Sequence, residues 1–398
     1  MKKKTRIGII YGGKSGEHDA SLSTAKAVIG EIDFDKYEVY PIYISKTGEW
    51  RMGAQVLAPI DDNKRLTFEQ GGAAGVNAEA WAALFGSPAS GEPPPAPPLS
   101  GTADSSASEP KPVVVSGAPA AAGAAPKMDV AFPLLHGTLG EDGAVQGLLE
   151  MLDVPYVGAG VLASAVGMDK VAMKKMFASV GLPQCVYRYF TRKQWERDRS
   201  FYLMEIEMSL GYPCFVKPAN LGACVGMSKA RNREELIEAV REAFLYDRKV
   251  IVEEFVDARE IEVSVLGNEA PRASVPGEVV ATAGALDYKA KYVDGKSVMT
   301  IPADLPLETV QEAQELAVRA FQAIDGSGLS HVDFFLRRDD GKLLVNEINT
   351  LPGLTPFSMY PKLWKESGLA YRELLDELIR LAVERREERR NPKYGTDE

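Results

Sequence analysis

Cysteine and histidine are scarce in this 398-residue chain, which has three of each. Cys185, Cys214 and Cys224 show no metal-binding spacing, and an odd, sparse count is typical of a reducing cytosol rather than of a disulfide scaffold. The sequence therefore predicts a cytoplasmic protein without structural disulfides.

An excess of positive charge and long apolar runs are also missing. The net charge of -10 at pH 7 argues against a nucleic-acid-binding protein. No apolar run reaches the length of about 18 residues that a membrane-spanning helix needs. The apolar run at residues 7–10, after a basic N-terminus, is too short for a signal peptide. We expect neither nucleic acid nor a membrane among the partners.

Residues 86–126 lack the composition of a folded core. Of these 41 residues, 32 are Gly, Pro, Ser or Ala, so the segment cannot bury enough apolar surface to order itself. We predict a flexible insertion in a surface loop, because the entropy cost of closing a loop grows only with the logarithm of its length.

Outside that segment, strand and helix patterns alternate. An apolar segment at 5–13, a helical pattern at 21–32 and an apolar segment at 37–45 form a β-α-β unit, which predicts a parallel sheet. Later, two apolar strands at 329–337 and 342–350 predict a hairpin, and a charged helix follows at 371–390. The predicted fold class is α/β at the N-terminus and α+β afterwards.

Residues 8–15 match the spacing G-x-x-x-x-G-K-[ST] of a phosphate-binding P-loop. The match is weak, because Ile9 and Ile10 are β-branched and belong to the predicted strand rather than to a loop that offers its amides to phosphate. We expect Gly12 and Gly13 instead to let a strand-to-helix turn approach a ligand closely.

The predicted hairpin carries oxygen donors. Glu347 and Asn349 are two residues apart on one strand and share a face, and Asp333 on the partner strand can join them. Two acids and an amide suit Mg²⁺, which also binds substrate phosphates. A solvated acidic face is the alternative, but the apolar neighbours indicate buried strands, in which acids need a cation.

Features that suit phosphate precede this hairpin. Lys217 ends an apolar strand, Lys170 begins a helix, and residues 220–226 form a glycine-containing turn whose amides can cover phosphates. Taken alone, each lysine is more often a surface residue than a phosphate ligand. Together with a metal site, and with a strand at 251–256 whose edge can hold a base and a ribose, the set describes ATP-dependent phosphoryl transfer.

These residues and their motifs resemble the D-alanine–D-alanine ligase family of the ATP-grasp superfamily. The motifs that carry the resemblance are GGKSGEHDASL, HGTLGEDGAVQG, MDK, FVKPANLGACVG, DYKAKY, VDFF and NEINTLPGLTPFS. The resemblance implies an N-terminal α/β substrate domain at 1–166 that contains the 86–126 insertion. It also implies a central ATP-grasp subdomain at 167–256 and a C-terminal subdomain at 257–398, between which ATP is clasped.

The resemblance implies a two-step ligation. ATP phosphorylates the carboxylate of a first D-alanine, and the amine of a second D-alanine displaces phosphate from the acyl phosphate to give D-alanyl-D-alanine for peptidoglycan precursors. The implied cofactors are ATP and two Mg²⁺ ions, with Mn²⁺ as an alternative, and the implied assembly is a homodimer.

The resemblance also implies roles for single residues. Glu17, followed by His18, holds the ammonium of the first D-alanine, and Tyr292 lies on a mobile loop and favours an amine nucleophile. The implied catalytic residues are Glu17, Tyr292, His331, Gly353 and Ser358. The implied residues of the ATP site are Lys170, Lys217, Glu253, Glu254, Phe255, Val256, Glu260 and Lys291. The implied metal ligands are Asp333, Glu347 and Asn349, and the implied residues of a substrate loop are His136 and Glu141.

Two positions depart from the family pattern. The family has serine where this chain has Ala223. In the family the serine hydroxyl links the residues that match Glu17 and Tyr292, so this chain lacks that hydrogen bond, whose loss costs about 0.5–1.5 kcal/mol. The family has arginine where this chain has His331, and that arginine, with the Gly353 amide, stabilises the oxyanion of the tetrahedral intermediate. Histidine is shorter, and unlike arginine it is not permanently charged.

These departures keep two alternatives open. The first is a related ligase that uses D-serine or D-lactate as its second substrate. The second is an ATP-binding paralogue with weak ligase activity. The intact lysines and metal ligands favour ATP binding in every case.

Overall fold

The computed structural model describes residues 3–60, 62–68, 73–75, 127–222, 225–281 and 297–390. Within these ranges the chain forms three β-sheets with helices packed on them. The predictions for the 86–126 insertion, Ala223, Lys291 and Tyr292 lie outside the described residues.

The first sheet is built around a parallel centre. Its strands are β1 (Thr5–Gly12), β2 (Tyr37–Ile44), β3 (Trp50–Gly53), β4 (Ala73–Gly75) and β5 (Val130–Pro133). They lie in the order β4-β3-β2-β1-β5, and β1 is parallel to both β2 and β5. Helix α1 (His18–Glu31) connects β1 to β2, so the predicted β-α-β unit is confirmed.

The turn after β1 is not a P-loop. Ile9 and Ile10 are fully buried in β1. Gly12 has φ +94°, and a Cβ at this position would lie 2.1 Å from the Ile44 carbonyl oxygen. Gly12 is therefore needed for the close approach of this turn to strand β2. The expected approach to a ligand stays a prediction.

The next four described helices are short. They are α2 (Asn63–Thr67), α3 (Ala144–Met151), α4 (Val161–Met168) and α5 (Lys170–Ser179). Through Met173 and Phe177, helix α5 packs on the apolar core of the third sheet, which is described below. The candidate active site lies at the first turn of this helix.

The second sheet is antiparallel. Its strands are β6 (Tyr187–Thr191), β7 (Cys214–Pro218), β8 (Ser228–Ala230) and β9 (Lys249–Glu254), in the order β6-β9-β7-β8. Its helices are α6 (Arg192–Arg197), α7 (Arg199–Ser209) and α8 (Arg233–Ala243). Since β9 ends at Glu254, the prediction that Phe255 and Val256 continue the strand is wrong. These two residues belong to the connection to the next strand.

The third sheet is also antiparallel and carries the predicted hairpin. Its strands are β10 (Ala258–Gly267), β11 (Arg272–Ala273), β12 (Gly277–Ala281), β13 (Ser297–Thr300), β14 (Gly328–Arg337) and β15 (Leu343–Asn349). The main order is β13-β12-β10-β14-β15, and β11 pairs with β10. Helix α9 (Leu307–Ala323) covers the apolar face of this sheet through Ala317 and Phe321.

Two C-terminal helices tie the third sheet to the first. Helices α10 (Met359–Glu366) and α11 (Tyr371–Arg390) follow β15. Trp364 and Leu378 join the apolar core that also contains Ile7 and Phe132 of the first sheet. Among the described helices, none combines the length and apolar character that a bilayer crossing requires.

Candidate active site

The hairpin of β14 and β15 places four polar residues on one face. His331 lies opposite Asn349, and Asp333 lies opposite Glu347 in the antiparallel register. Buried Val332 and Phe334 alternate with these residues along β14 and point into the core. The alternation confirms that the predicted donors share one side of the sheet.

A third strand adds another carboxylate to this face. Glu262 on β10 pairs directly with Asp333, and only 8% of it is exposed. Ligand atoms of Glu262, His331 and Asp333 lie within 4.8 Å of one another, and His331 Nε2 is 3.3 Å from Asp333 Oδ1. Burial lowers the pKa of His331, but the surrounding carboxylates outweigh burial and raise it overall.

The donors fit a divalent cation. Asp333 and Glu347 offer carboxylate oxygens from paired strands, and Asn349 offers an amide oxygen that accepts the Leu351 N–H at 2.8 Å. Hard oxygen donors of this kind are the ligands that Mg²⁺ and Mn²⁺ prefer. Asp333, Glu347 and Asn349 are therefore the residues that would hold such an ion.

Lys170 connects these donors to the glycine-containing segment. The Asp169 side chain caps helix α5 by accepting the amides of Val171 and Ala172, which fixes the first helical residue, Lys170. Lys170 Nζ lies 3.5 Å from Glu347 Oε2 and donates to the Leu221 carbonyl oxygen at 2.9 Å.

A second cluster, which we call the lysine group, consists of Lys174, Lys217 and Glu253. Lys174 Nζ lies 2.9 Å from Glu253 Oε1, and Lys217 Nζ lies 2.6 Å from Glu253 Oε2. Burial raises the pKa of Glu253, but the two ammonium charges overcome it and hold the pKa well below its usual range. The structure thus surrounds Glu253, which we expected near the base of ATP, with two lysines.

The other residues expected around ATP lie along the connection from β9 to β10. Glu254 Oε1 accepts the Val186 N–H at 2.7 Å. The Phe255 ring is 41% exposed, and Lys229 Nζ lies 3.9 Å from its centroid. Val256 precedes β10, on which Glu260 lies opposite Phe335. These residues connect the second sheet to the third.

An acid group forms at the first turn of α1 and consists of Glu17, His136 and Glu141. Glu17 precedes α1, and its amide donates to the Ser15 hydroxyl, which in turn donates to the His136 carbonyl oxygen at 2.6 Å. The His136 ring lies 3.4 Å from Glu141 Oε1 and 2.9 Å from the Thr24 hydroxyl. The structure thus brings together residues that are more than a hundred positions apart in sequence.

The acid group holds more negative than positive charge. Burial, and then the charge of Glu141, raise the pKa of Glu17 to about 7, although His136 opposes the shift. Burial lowers the pKa of His136, but the hydrogen bond and charge of Glu141 and the charge of Glu17 raise it overall. A cation that binds from solution would therefore stabilise the ionised form of the Glu17 carboxylate.

Gly222 borders the acid group from the side of the lysines. A Cβ on Gly222 would lie 3.5 Å from Glu17 Oε1 and 3.9 Å from Glu141 Oε2. Its neighbour Leu221 accepts the hydrogen bond from Lys170. The glycine-containing segment therefore runs between the acid group and the lysine that reaches Glu347.

The segment after β15 holds the last predicted residues. A Cβ on Gly353 would lie 2.9 Å from Ser358 Oγ, so the glycine gives the serine room. Ser358 Oγ lies 2.7 Å from Thr355 Oγ1, and Ser358 precedes helix α10. His18, in contrast, turns away from Glu141: its ring contacts Gly13 O at 2.7 Å and Tyr43 Oη at 3.4 Å.

Sequence reasoning missed three residues of these groups. Lys174 follows Lys170 by one helical turn, Glu262 follows Glu260 by one strand period, and Thr24 lies on the α1 face that meets His136. The first two positions were detectable from periodicity. The third depends on the fold, because nothing local to Thr24 predicts its distant partner.

Comparisons with known proteins agree with this architecture. The model of the D-ala D-ala ligase N-terminus matches residues 6–159, and the model of the D-ala D-ala ligase C-terminus matches residues 176–380. The chain is 49% identical to the D-alanine–D-alanine ligase of Bacillus licheniformis, over 98% of this chain and 99% of that protein.

Solved structures give the same result. The D-alanine-D-alanine ligase of Coxiella burnetii superposes with a TM-score of 0.75 at 32% identity, over 97% of this chain and 96% of that one. The VanG D-Ala:D-Ser ligase of Enterococcus faecalis superposes with a TM-score of 0.76 at 30% identity, over 96% of this chain and 100% of that one.

The fold and the site together define an ATP-grasp enzyme that uses ATP and a divalent metal. Within that class, the chain belongs to the D-alanine–D-alanine ligase family.

Proposed function

We propose that this protein joins two D-alanines to D-alanyl-D-alanine for peptidoglycan precursors and converts ATP to ADP and phosphate. Family membership supports this activity. The single observation that carries it is the position of the segment at Leu221 and Gly222: Gly222 borders the acid group, and the Leu221 carbonyl oxygen accepts a hydrogen bond from Lys170. A substrate ammonium suits the acid group, and a triphosphate suits the lysines.

The residues around the acid group bind and orient the first amino acid. Glu17 pairs with its ammonium, and Glu141 holds His136 beside it. This places the substrate carboxylate towards Lys170 and Lys217, which bind phosphate oxygens. A divalent ion, Mg²⁺ or Mn²⁺, held by Asp333, Glu347 and Asn349 supplies positive charge that offsets the phosphates.

The remaining residues act on the second half of the reaction. A carboxylate oxygen of the first D-alanine takes the γ-phosphoryl group, and ADP leaves. The amine of the second D-alanine then bonds to the acyl carbon and loses a proton to solvent, while the acyl C–O bond breaks and phosphate departs with the transferred oxygen. The Gly353 amide and His331 stabilise the oxyanion, and Ser358 binds the carboxylate of the second substrate. Tyr292 and Lys291 would act at the same site, as the resemblance to the family implies.

We also propose the larger organisation. An N-terminal substrate domain at 1–166 would be followed by ATP-grasp subdomains at 167–256 and 257–398, which the three separate sheets support. We place the protein in the cytoplasm, where ATP is supplied. The unpaired thiols of Cys185 and Cys214 suit that compartment. The assembly we propose is a homodimer, to be checked by light scattering after gel filtration.

Phosphate release tests the activity. Purified protein is mixed with ATP, Mg²⁺ and D-alanine, and in parallel with D-serine or D-lactate added as the second substrate. We expect release with D-alanine alone, and no gain from D-lactate, because the resemblance at Tyr292 favours an amine nucleophile. A protein that releases no D-alanine-dependent phosphate at any pH would refute the proposal.

A further inference from the structure

Lys174 is a cation that the proposed reaction does not use. Its side chain is 1% exposed. Its ammonium has three N–H donors, and three acceptors surround it: Glu253 Oε1 at 2.9 Å, Asn346 O at 3.3 Å and Cys185 Sγ at 3.6 Å. Because the side chain is buried and its ammonium is enclosed by this ion pair and two hydrogen-bond acceptors, Lys174 does not bind a ligand directly.

Lys174 shares its carboxylate with a lysine that is nearer to the open site. Lys217 Nζ lies 2.6 Å from the other oxygen of Glu253, and its side chain is 12% exposed. In the part of the chain that the structure describes, Glu253 is the one ion-pair partner of Lys217. The ammonium of Lys217 therefore keeps donors for a ligand.

The lysine group contains two ammonium groups and one carboxylate, so one positive charge has no partner within the group. Burial raises the pKa of Cys185 to about 11, so the thiol adjacent to Lys174 adds no negative charge near pH 7. Burying an ion pair together with a second, uncompensated cation is costly unless an anion completes the group. The neighbouring pair of Lys170 and Glu347 adds one charge of each sign and leaves this excess unchanged.

We propose that Lys174 is a positioning residue for nucleotide phosphates. By holding one oxygen of Glu253, it leaves part of the charge on Lys217 uncompensated and fixes the direction in which that ammonium points. The inference rests on the proposed ATP-dependent function and extends it to a residue that never touches ATP.

The test compares ATP with adenosine, which shares the base and ribose but has no phosphate. In Lys174→Met, Glu253 is left to neutralise Lys217 alone, so the dissociation constant for ATP should rise roughly tenfold. The dissociation constant for adenosine should stay at the parent value. Isothermal titration calorimetry measures both. A role limited to packing would weaken both ligands alike.

Lys175→Met is the matched control. Lys175 is the next residue of the same helix, it is exposed, and its ammonium lies over the Tyr189 ring at 4.5 Å from the centroid. This variant should bind ATP like the parent. If Lys174→Met does not fold, Lys174→Gln keeps a hydrogen-bond donor and carries the same prediction.

Two other results are decisive. If the parent binds ATP and Lys174→Met binds it equally well, this inference is wrong, whereas the proposed function stands. If the parent does not bind ATP at all, the proposed function fails, and this inference fails with it.

Discussion

The acid group and the lysine group each bury carboxylates, yet the pKa values of these carboxylates move in opposite directions. Burial and the neighbouring Glu141 raise the pKa of Glu17 to about 7. Burial also raises the pKa of Glu253, but Lys174 and Lys217 lower it by more. The same functional group is thus held partly protonated in one place and firmly ionised in the other.

The difference shows which ligand each group lacks. The acid group has an excess of carboxylates, so binding of an external ammonium would stabilise its ionised form. The lysine group has an excess of ammonium groups, so binding of an external phosphate would stabilise it. Gly222 borders the acid group, and its neighbour Leu221 accepts a hydrogen bond from Lys170. An amino acid and a nucleoside triphosphate carry charges that fit this arrangement.

Glu253→Gln should have the largest effect, a loss of about 3 kcal/mol in the free energy of unfolding at pH 7, because two buried lysines lose their shared carboxylate. Urea unfolding measures this. The pKa of Glu253 is lower in the folded than in the unfolded state, so its contribution is present above the unfolded value. It disappears as pH falls through the folded pKa.

Glu17→Gln is the matched control for stability. The folded pKa of Glu17 is raised to about 7, so ionised Glu17 reduces stability progressively as pH rises from its unfolded pKa towards that value. Replacing it should not destabilise the protein at pH 8. Equal losses in Glu17→Gln and Glu253→Gln would contradict the comparison between the two groups.

Lys217→Met should raise the dissociation constant for ATP on the order of 100-fold, the value of a charge-assisted hydrogen bond to phosphate. The KM for D-alanine should stay within about threefold of the parent at saturating ATP. Calorimetry and steady-state kinetics measure the two quantities. A larger change for D-alanine than for ATP would show that the lysine group is not the phosphate site.

Glu17→Gln should raise the KM for D-alanine about 30-fold and leave ATP affinity unchanged, because an ammonium loses its carboxylate partner. In the parent, Glu17 is protonated below its pKa of about 7, so KM should rise as pH falls below that value. This pH dependence should be absent in the variant. A KM profile with the same shape in both proteins would exclude Glu17 as the ammonium partner.

His331→Arg should have the smallest effect, an increase in kcat of about tenfold, since arginine offers a permanently charged fork of donors to the oxyanion. Rapid-quench or steady-state phosphate release measures it. The control is His18→Gln, because the His18 ring faces Gly13 and Tyr43. A His331→Arg variant no faster than the parent would show that this position does not limit catalysis.

Periodicity in the sequence predicted most of the local structure. Alternating polar residues placed Asp333, Glu347 and Asn349 on one face, and the β14–β15 register confirms it. The helix at 371–390 also has the predicted limits. The strand at 251–256 was predicted too long, because periodicity does not show that the Glu254 side chain and amide pair with Val186 and that β9 ends there.

Long-range pairing limited what the sequence could reveal about the site. Local patterns identify Lys217 as the end of a strand, but not that Glu253 joins it to Lys174. They also do not show that Gly222 borders Glu17. Such contacts depend on how three sheets pack. The residue roles came from resemblance, and they stay predictions until the variants above are measured.

Isotope transfer tests the central claim most directly. D-alanine with ¹⁸O at both carboxylate oxygens is incubated with the protein, ATP and Mg²⁺, and the phosphate and dipeptide are analysed by mass spectrometry. Our account predicts D-alanyl-D-alanine together with one ¹⁸O atom in each phosphate released, because the phosphate carries away a carboxylate oxygen. Unlabelled phosphate, or labelled phosphate without dipeptide, would contradict it.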